Sequence, residues 1–219
     1  MKRDTILVIG ARGQIGSELL PELRRAHGSF RVVAADRLPP DNGPLKAGPY
    51  EQLDVLDRRA LGAIIDRYDI NQVYHLAATL SATGEKNPLQ AWDLNMQGLL
   101  NVLDLAREKK LARVFWPSSI AVFGPHPPKH GVPQDAPHDP ATVYGISKTA
   151  GEHWCRYYYA KHGVDTRSLR YPGLISHRTA PGGGTTDYAV DIFHHAAAGK
   201  PYSCYLHADT RLPMMYMPD

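Results

Sequence analysis

The sequence predicts an α/β fold, a doubly wound parallel sheet followed by the start of a small second domain. Three observations predict it. Short apolar runs alternate with longer helical patterns from Thr5 to Tyr171, the rhythm of strands joined by crossover helices. The strand runs are continuously apolar, as in strands covered on both faces. A glycine-rich turn leads from the first strand straight into the first helix. Strands are expected at Thr5–Ile9, Phe30–Ala35, Gln72–Leu76, Arg113–Pro117 and Thr166–Tyr171. Helices are expected near Gln14–His27, Asp57–Tyr68, Pro88–Lys110 and Thr142–His162.

Two segments break this rhythm. Gly124 to Pro140 carries six prolines, and proline lacks the N–H that a helix or a central strand needs. The segment is read as a long loop, and long loops in compact domains are often functional. Pro181-Gly-Gly-Gly184-Thr-Thr186 reads as a hinge ahead of a helical pattern, Asp187 to Gly199. A boundary near Pro172 divides the chain into 1–172 and 173–219. The last residues, Leu212 to Asp219, are apolar without a polar tail. Termini are usually polar and frayed, so the second domain is expected to be incomplete at that point.

Composition excludes several classes. The chain has 219 residues, 43% hydrophobic and 21% charged, the profile of an ordinary globular protein. The net charge is +3, from 25 basic and 22 acidic side chains. It is spread without like-charged blocks, against a nucleic-acid or polybasic membrane surface. The cysteines, Cys155 and Cys204, form no CxxC, so neither a disulfide framework nor a thiolate zinc site is expected. His126, His130 and His138 share the proline-rich loop and His194 adjoins His195. None has a zinc spacing with a third ligand, so no metal is expected. No apolar run spans a bilayer, and Ile6–Ile9 is too short for a signal peptide core. A cytoplasmic protein is expected, or one of the mitochondrial matrix if a targeting segment was removed.

The turn Gly10-Ala-Arg-Gly13-Gln-Ile-Gly16 has GxxGxxG spacing. Glycines let a pyrophosphate approach backbone N–H groups at a helix N-terminus. Asp36 ends the second strand, 20 residues after Gly16, where a carboxylate would bind a ribose diol and repel a 2′-phosphate. That favours NAD over NADP, although Arg37 follows directly. Asp54, in Leu53-Asp-Val55, is a candidate acceptor for an adenine amino group.

Tyr144 and Lys148 are four residues apart, hence on one helix face. A phenol of pKa about 10 is a poor base at neutral pH. A nearby ammonium, and the cation of an oxidised nicotinamide, would favour the phenolate. It could then take a proton from a substrate hydroxyl. Pro117-Ser-Ser119 ends the fifth strand, where ligands of open α/β sheets bind, and a hydroxyl of Ser118 or Ser119 could hydrogen-bond the reacting oxygen beside Tyr144.

As a set, Gly10/Gly13/Gly16, Asp36, Leu53-Asp-Val55, His75-Leu-Ala-Ala78, Asn95 with Gly98, Ser119, Tyr144/Lys148 and Arg170-Tyr-Pro172 resemble the extended short-chain dehydrogenase/reductases. The resemblance implies a Rossmann-type domain binding NAD and a small C-terminal substrate domain. Gly10, Gly13, Gln14, Ile15, Gly16, Asp36, Arg37, Asp54, Val55, Leu76, Ala77, Ala78, Asn95, Tyr144, Lys148, Tyr171 and Leu174 would contact the cofactor. Ser119 aligns with the family's catalytic serine or threonine. It also implies a homodimer through the helices Pro88–Lys110 and Thr142–His162, although core packing explains their apolar residues as well.

A narrower resemblance is to the L-threonine 3-dehydrogenases of the epimerase-like branch. It rests on Leu80-Ser-Ala-Thr-Gly-Glu-Lys-Asn-Pro88, Arg170-Tyr-Pro-Gly-Leu-Ile-Ser176, Pro181 to Val190 and Leu212-Pro-Met-Met-Tyr216. It implies oxidation of the threonine hydroxyl with Tyr144 as base, Lys148 tuning it and Ser119 positioning the hydroxyl. Ser81, Gly184, Thr185 and Thr186 would hold the small zwitterion. A sugar-nucleotide epimerase or dehydratase of the same superfamily, and a non-catalytic dinucleotide-binding protein, are the alternatives. The epimerases typically carry asparagine where Gly173 stands.

Overall fold

The structure, a computed structural model, describes residues 4–40, 44–125, 130–180 and 182–219. His126, Pro127, Pro128 and Pro181 of the two irregular segments lie outside them. The elements run β1 Ile6–Ile9, α1 Gln14–His27, β2 Val32–Asp36, β3 Tyr50–Gln52, α2 Arg58–Arg67, β4 Gln72–His75, α3 Ser81–Gly84, α4 Pro88–Glu108, β5 Arg113–Phe115, β6 Ser118–Ser119, α5 Val143–His162, β7 Thr166–Arg167, β8 Arg170–Tyr171, β9 Gly173–Ile175, α6 Tyr188–Ala197 and β10 Met214–Tyr216.

Six strands form one sheet in the order β3-β2-β1-β4-β5-β7, all parallel. Ile6 of β1 lies opposite Val32 of β2 on one side and Gln72 of β4 on the other. The chain builds outward from β1 to β3, then returns to build the other half from β4. That reversal leaves a crevice at the carboxyl ends of β1 and β4.

The four residues of β1 are buried completely or nearly so, and their alternation serves two cores. Leu7 and Ile9 join residues of α2, α4 and α5 on one face. Ile6 and Val8 pack with Leu20 and Leu23 of α1 on the other. This is why β1 reads as an unbroken apolar run. Side-chain caps fix two helix starts: Asp57 accepts from Ala60 N (2.9 Å) at α2, and Thr142 from Gly145 N (3.1 Å) at α5. Gly163, at φ 69°, ends α5.

The fifth expected strand divides into β5 and β6, and Thr166–Tyr171 into β7 and β8. Pro117 has no N–H for the ladder. Trp116 N donates to Arg167 O (2.9 Å) and Ser118 N to Leu169 O (2.8 Å), carrying the pairing across the break. β6 and β8 pair in parallel beyond it. Gly151 of α5 lets the helix approach Trp116, since a Cβ there would stand 2.3 Å from the indole. Gly151→Ala is expected to cost about 1–3 kcal/mol, the usual range for overpacking, measurable by urea denaturation.

Beyond β8 the chain pairs β9 with β10 in parallel, Gly173 opposite Met214. Residues 177–179 are strapped to α1. Arg178 Nε pairs with Glu18 Oε2 at 2.9 Å, and Thr179 Oγ1 meets Ser17 Oγ at 2.8 Å. Among the described residues no helix is long and apolar enough to cross a membrane.

Candidate active site

At the carboxyl ends of the strands lies a cavity of about 750 Å³. Its floor is the glycine turn. Gly10 sits at φ +83°, where a Cβ would stand 2.7 Å from Ala77 N; at Gly16 a Cβ would stand 2.5 Å from Gly10 O. Both positions therefore demand glycine. Gly13 starts α1 without a side-chain cap, so the first N–H groups of the helix stay open to an anion. Gln14 Nε2 is buried there without a partner. Asp36 ends β2 beside the turn, its carboxylate accepting from Arg12 N (3.1 Å) and Leu38 N (3.2 Å). A close-approach turn, a free helix N-terminus, an unpaired amide and a carboxylate beside them fit a dinucleotide.

Gly10, Gly13, Gln14, Ile15, Gly16, Leu76, Ala78, Tyr171 and Leu174 all line the cavity. Ala77 packs its backbone against Gly10. Arg37 is exposed and its carbonyl accepts from Gln52. Asp54 is exposed and caps Leu56 N, while the Val55 side chain belongs to the core. The Asn95 amide is committed internally: it accepts from Thr79 N (2.8 Å) and donates to Thr79 O and Ser147 Oγ. It thereby ties the loop after β4 to α5.

The wall carries the chemistry. Tyr144 and Lys148 project from one face of α5, and Ser119 comes from the end of β6; all three line the cavity. Ser119 Oγ caps Ala121 N (3.2 Å) and hydrogen-bonds the Tyr144 phenol. Lys148 is only 3% exposed. Its ammonium donates to Pro117 O (2.5 Å) and lies 4.3 Å from the Trp116 ring centroid and 5.4 Å from that of Tyr144.

Burial dominates the electrostatics. It pulls the Lys148 ammonium down to about 7 and pushes the Tyr144 phenol above its ordinary range, the Ser119 hydrogen bond opposing it. The sequence leads one to expect a phenol pulled down by its ammonium neighbour. In the protein alone, desolvation is the largest influence on each group. Beneath them His75 is 1% exposed with neither ring nitrogen hydrogen-bonded. Burial, then the Lys148 charge, takes it to about 3, so it stays neutral.

Across the cavity, α3 and the glycine hinge meet. Ala82 N and Thr83 N donate to Gly183 O (3.1 and 3.3 Å), which brings Ser81 and residues 184–186 to one rim. Ser81, Gly184, Thr185 and Thr186 all line the cavity. Asp187, which the sequence shows only as the start of a helical pattern, is a further lining residue. It is 8% exposed, and its Oδ2 accepts from Gly183 N and Gly184 N, both at 2.7 Å. Among the described residues no three His, Cys, Asp or Glu side chains cluster as metal ligands.

Comparison with known proteins agrees with this geometry. An uncharacterized epimerase/dehydratase of Staphylococcus haemolyticus is 50% identical over 217 residues, 99% of this chain and 68% of that protein. The solved GalE-like L-threonine dehydrogenase of Cupriavidus necator, in its holo form, is 58% identical with a TM-score of 0.93, covering 98% of this chain and 69% of that one. The L-threonine dehydrogenase of Clostridium difficile is 48% identical with a TM-score of 0.92, covering 100% and 68%. The chain thus spans about two thirds of the length of these relatives. The extended short-chain dehydrogenase/reductase resemblance and the Rossmann-type sheet both stand. The model of the NAD dependent epimerase/dehydratase family matches residues 6–219, and the chain belongs to that family.

Proposed function

We propose that the protein is an NAD-dependent L-threonine 3-dehydrogenase, oxidising L-threonine to 2-amino-3-ketobutyrate. The observation that carries this reading is one cavity lined by Ser119, Tyr144 and Lys148 on one wall and by Ser81 and residues 184–187 on the other. The glycine turn and Asp36 would hold the dinucleotide, and Lys148 its nicotinamide ribose. When bound, NAD supplies the hydride acceptor and a positive charge. Tyr144 is the base that takes the hydroxyl proton, and Ser119 orients that hydroxyl. A cation entering the cavity favours the phenolate, offsetting the burial that keeps Tyr144 protonated in the protein alone. Ser81, Thr185 and Thr186 provide polar partners for a small zwitterion, and lookalikes that leave such partners unpaired are rejected.

The test is to incubate the protein with NAD and L-threonine and follow NADH absorbance, with L-serine and L-allo-threonine as comparators. NADH formation with L-threonine supports the reading; none with L-threonine refutes it. An epimerase would give no net NADH.

Asp36 sets cofactor choice in this reading. NAD is expected to bind at least tenfold more tightly than NADP, about 1.4 kcal/mol. Asp36→Ala is expected to erase most of that margin in fluorescence titrations.

We also infer a homodimer. α4 and α5 expose Leu89 (81%), Trp92, Trp154 and Tyr157, too many large apolar groups for a solvated face. Sedimentation is expected to give a dimer, and Trp154→Glu a monomer.

A further inference from the structure

A second set of side chains lies behind the reactive ones. Tyr144, Lys148 and Glu152 follow one another at four-residue intervals along one face of α5. The Glu152 carboxylate is about one fifth exposed and joins two other segments. Ser118 Oγ donates to its Oε1 at 2.5 Å. Arg170 Nε donates to Oε1 and Nη2 to Oε2, both at 2.8 Å. Arg170 in turn donates to Gln134 O (2.7 Å) and to His138 Nε2 (2.8 Å) in the proline-rich loop, and its guanidinium lies 5.0 Å from the Phe123 ring centroid.

The three segments that this carboxylate joins are those that line the reactive end of the cavity. Ser118 adjoins Ser119, Arg170 adjoins Tyr171, and Glu152 shares a helix with Tyr144. β6 and β8 are two residues each and extend the β5–β7 pairing past Pro117. That ladder ends at Ser119 and Tyr171, so side-chain contacts hold the two segments at the cavity. We propose that Glu152 is a positioning residue: by gripping Ser118 and Arg170 together it sets the Ser119 hydroxyl against the Tyr144 phenol. A buried ion pair is weak evidence of stabilisation, so the gain from this one lies in geometry. Misplacing a reactive group by about an ångström can cost up to a hundredfold in rate.

The proposal rests on Ser119 and Tyr144 being the reacting pair, and its test separates the two ideas. Glu152→Gln keeps the shape and an acceptor for Ser118 but removes the charge that orients Arg170. Hydrogen exchange of the 117–123 segment is expected to quicken about tenfold in this variant while β1 and α1 are unchanged. With L-threonine, kcat is expected to fall about tenfold with KM within about twofold. In a Ser119→Ala background the same change is expected to add less than about twofold, because Glu152 acts through Ser119.

Unchanged exchange at 117–123, or losses that multiply in the double variant, would overturn the proposal. Ser118→Ala tests the same grip if Glu152→Gln does not fold. If the wild-type protein does not oxidise L-threonine, the substrate reading fails, and the exchange measurement alone decides the role of Glu152.

Discussion

Tyr144→Phe is expected to leave folding unchanged while lowering the rate of L-threonine oxidation at saturating NAD about a thousandfold, within the usual span for a lost general base. The reasoning is atomic. The substitution removes one oxygen, which the Ser119 hydroxyl contacts and which is the proton acceptor in the proposed reaction. The ring stays, so the packing above Lys148, 5.4 Å from its centroid, stays as well. Stopped-flow and steady-state kinetics with a parallel NAD titration check it. A variant retaining a tenth of the activity would remove Tyr144 from the mechanism.

Lys148→Met is expected to abolish turnover and to make the protein more stable at pH 6. Lys148 is 3% exposed, without a carboxylate among its hydrogen-bond partners. Burial lowers its pKa from 10.5 to about 7. In the unfolded chain the amine takes up a proton below about 10.5, in the folded chain only below about 7. The penalty is therefore absent above pH 10.5, grows as the pH falls, and is complete below about 7. Methionine fills similar volume without charge. The gain at pH 6 is expected to be roughly 1–3 kcal/mol, since the unpaired Pro117 carbonyl returns part of the cost. It should shrink steadily as the pH is raised towards 10. Urea denaturation of both proteins at pH 6 and pH 9 measures it, and an equal or larger gain at pH 9 would contradict the account. Such exchange of stability for function is a known property of active sites.

Which parts of this were legible in the sequence follows from range. α1 runs from Gln14 to His27, where the helical pattern after the glycine turn placed it. Those signals are local, and so is the i, i+4 spacing of Tyr144 and Lys148. β3 was not legible: it has three residues, one of them Glu51, and exists because Ala34 to Asp36 offer a ladder across the sheet. The β9–β10 pair likewise joins residues far apart in the chain. For the same reason Glu152 was missed. Its partners are 34 and 18 residues away, and only its place four residues after Lys148 hinted at a shared face. The protonation balance was misjudged because it depends on depth, and a sequence does not state how completely a lysine is removed from water.

The β9–β10 pairing has a consequence for how the molecule opens. Residues 176–213 form an excursion whose two ends are brought together by three residues against three, with further ties from Arg178 and Thr179 to α1 and from Gly183 O to α3. Closing a long loop has an entropic cost that rises only with the logarithm of its length, so these few contacts suffice. Among its described residues only Ser176, Asp187 and Val190 are buried, so the excursion is expected to open more readily than the six-stranded sheet. The linings of the cavity then differ in kind: Tyr144 stands on a helix packed into the main core, whereas residues 184–187 belong to the excursion.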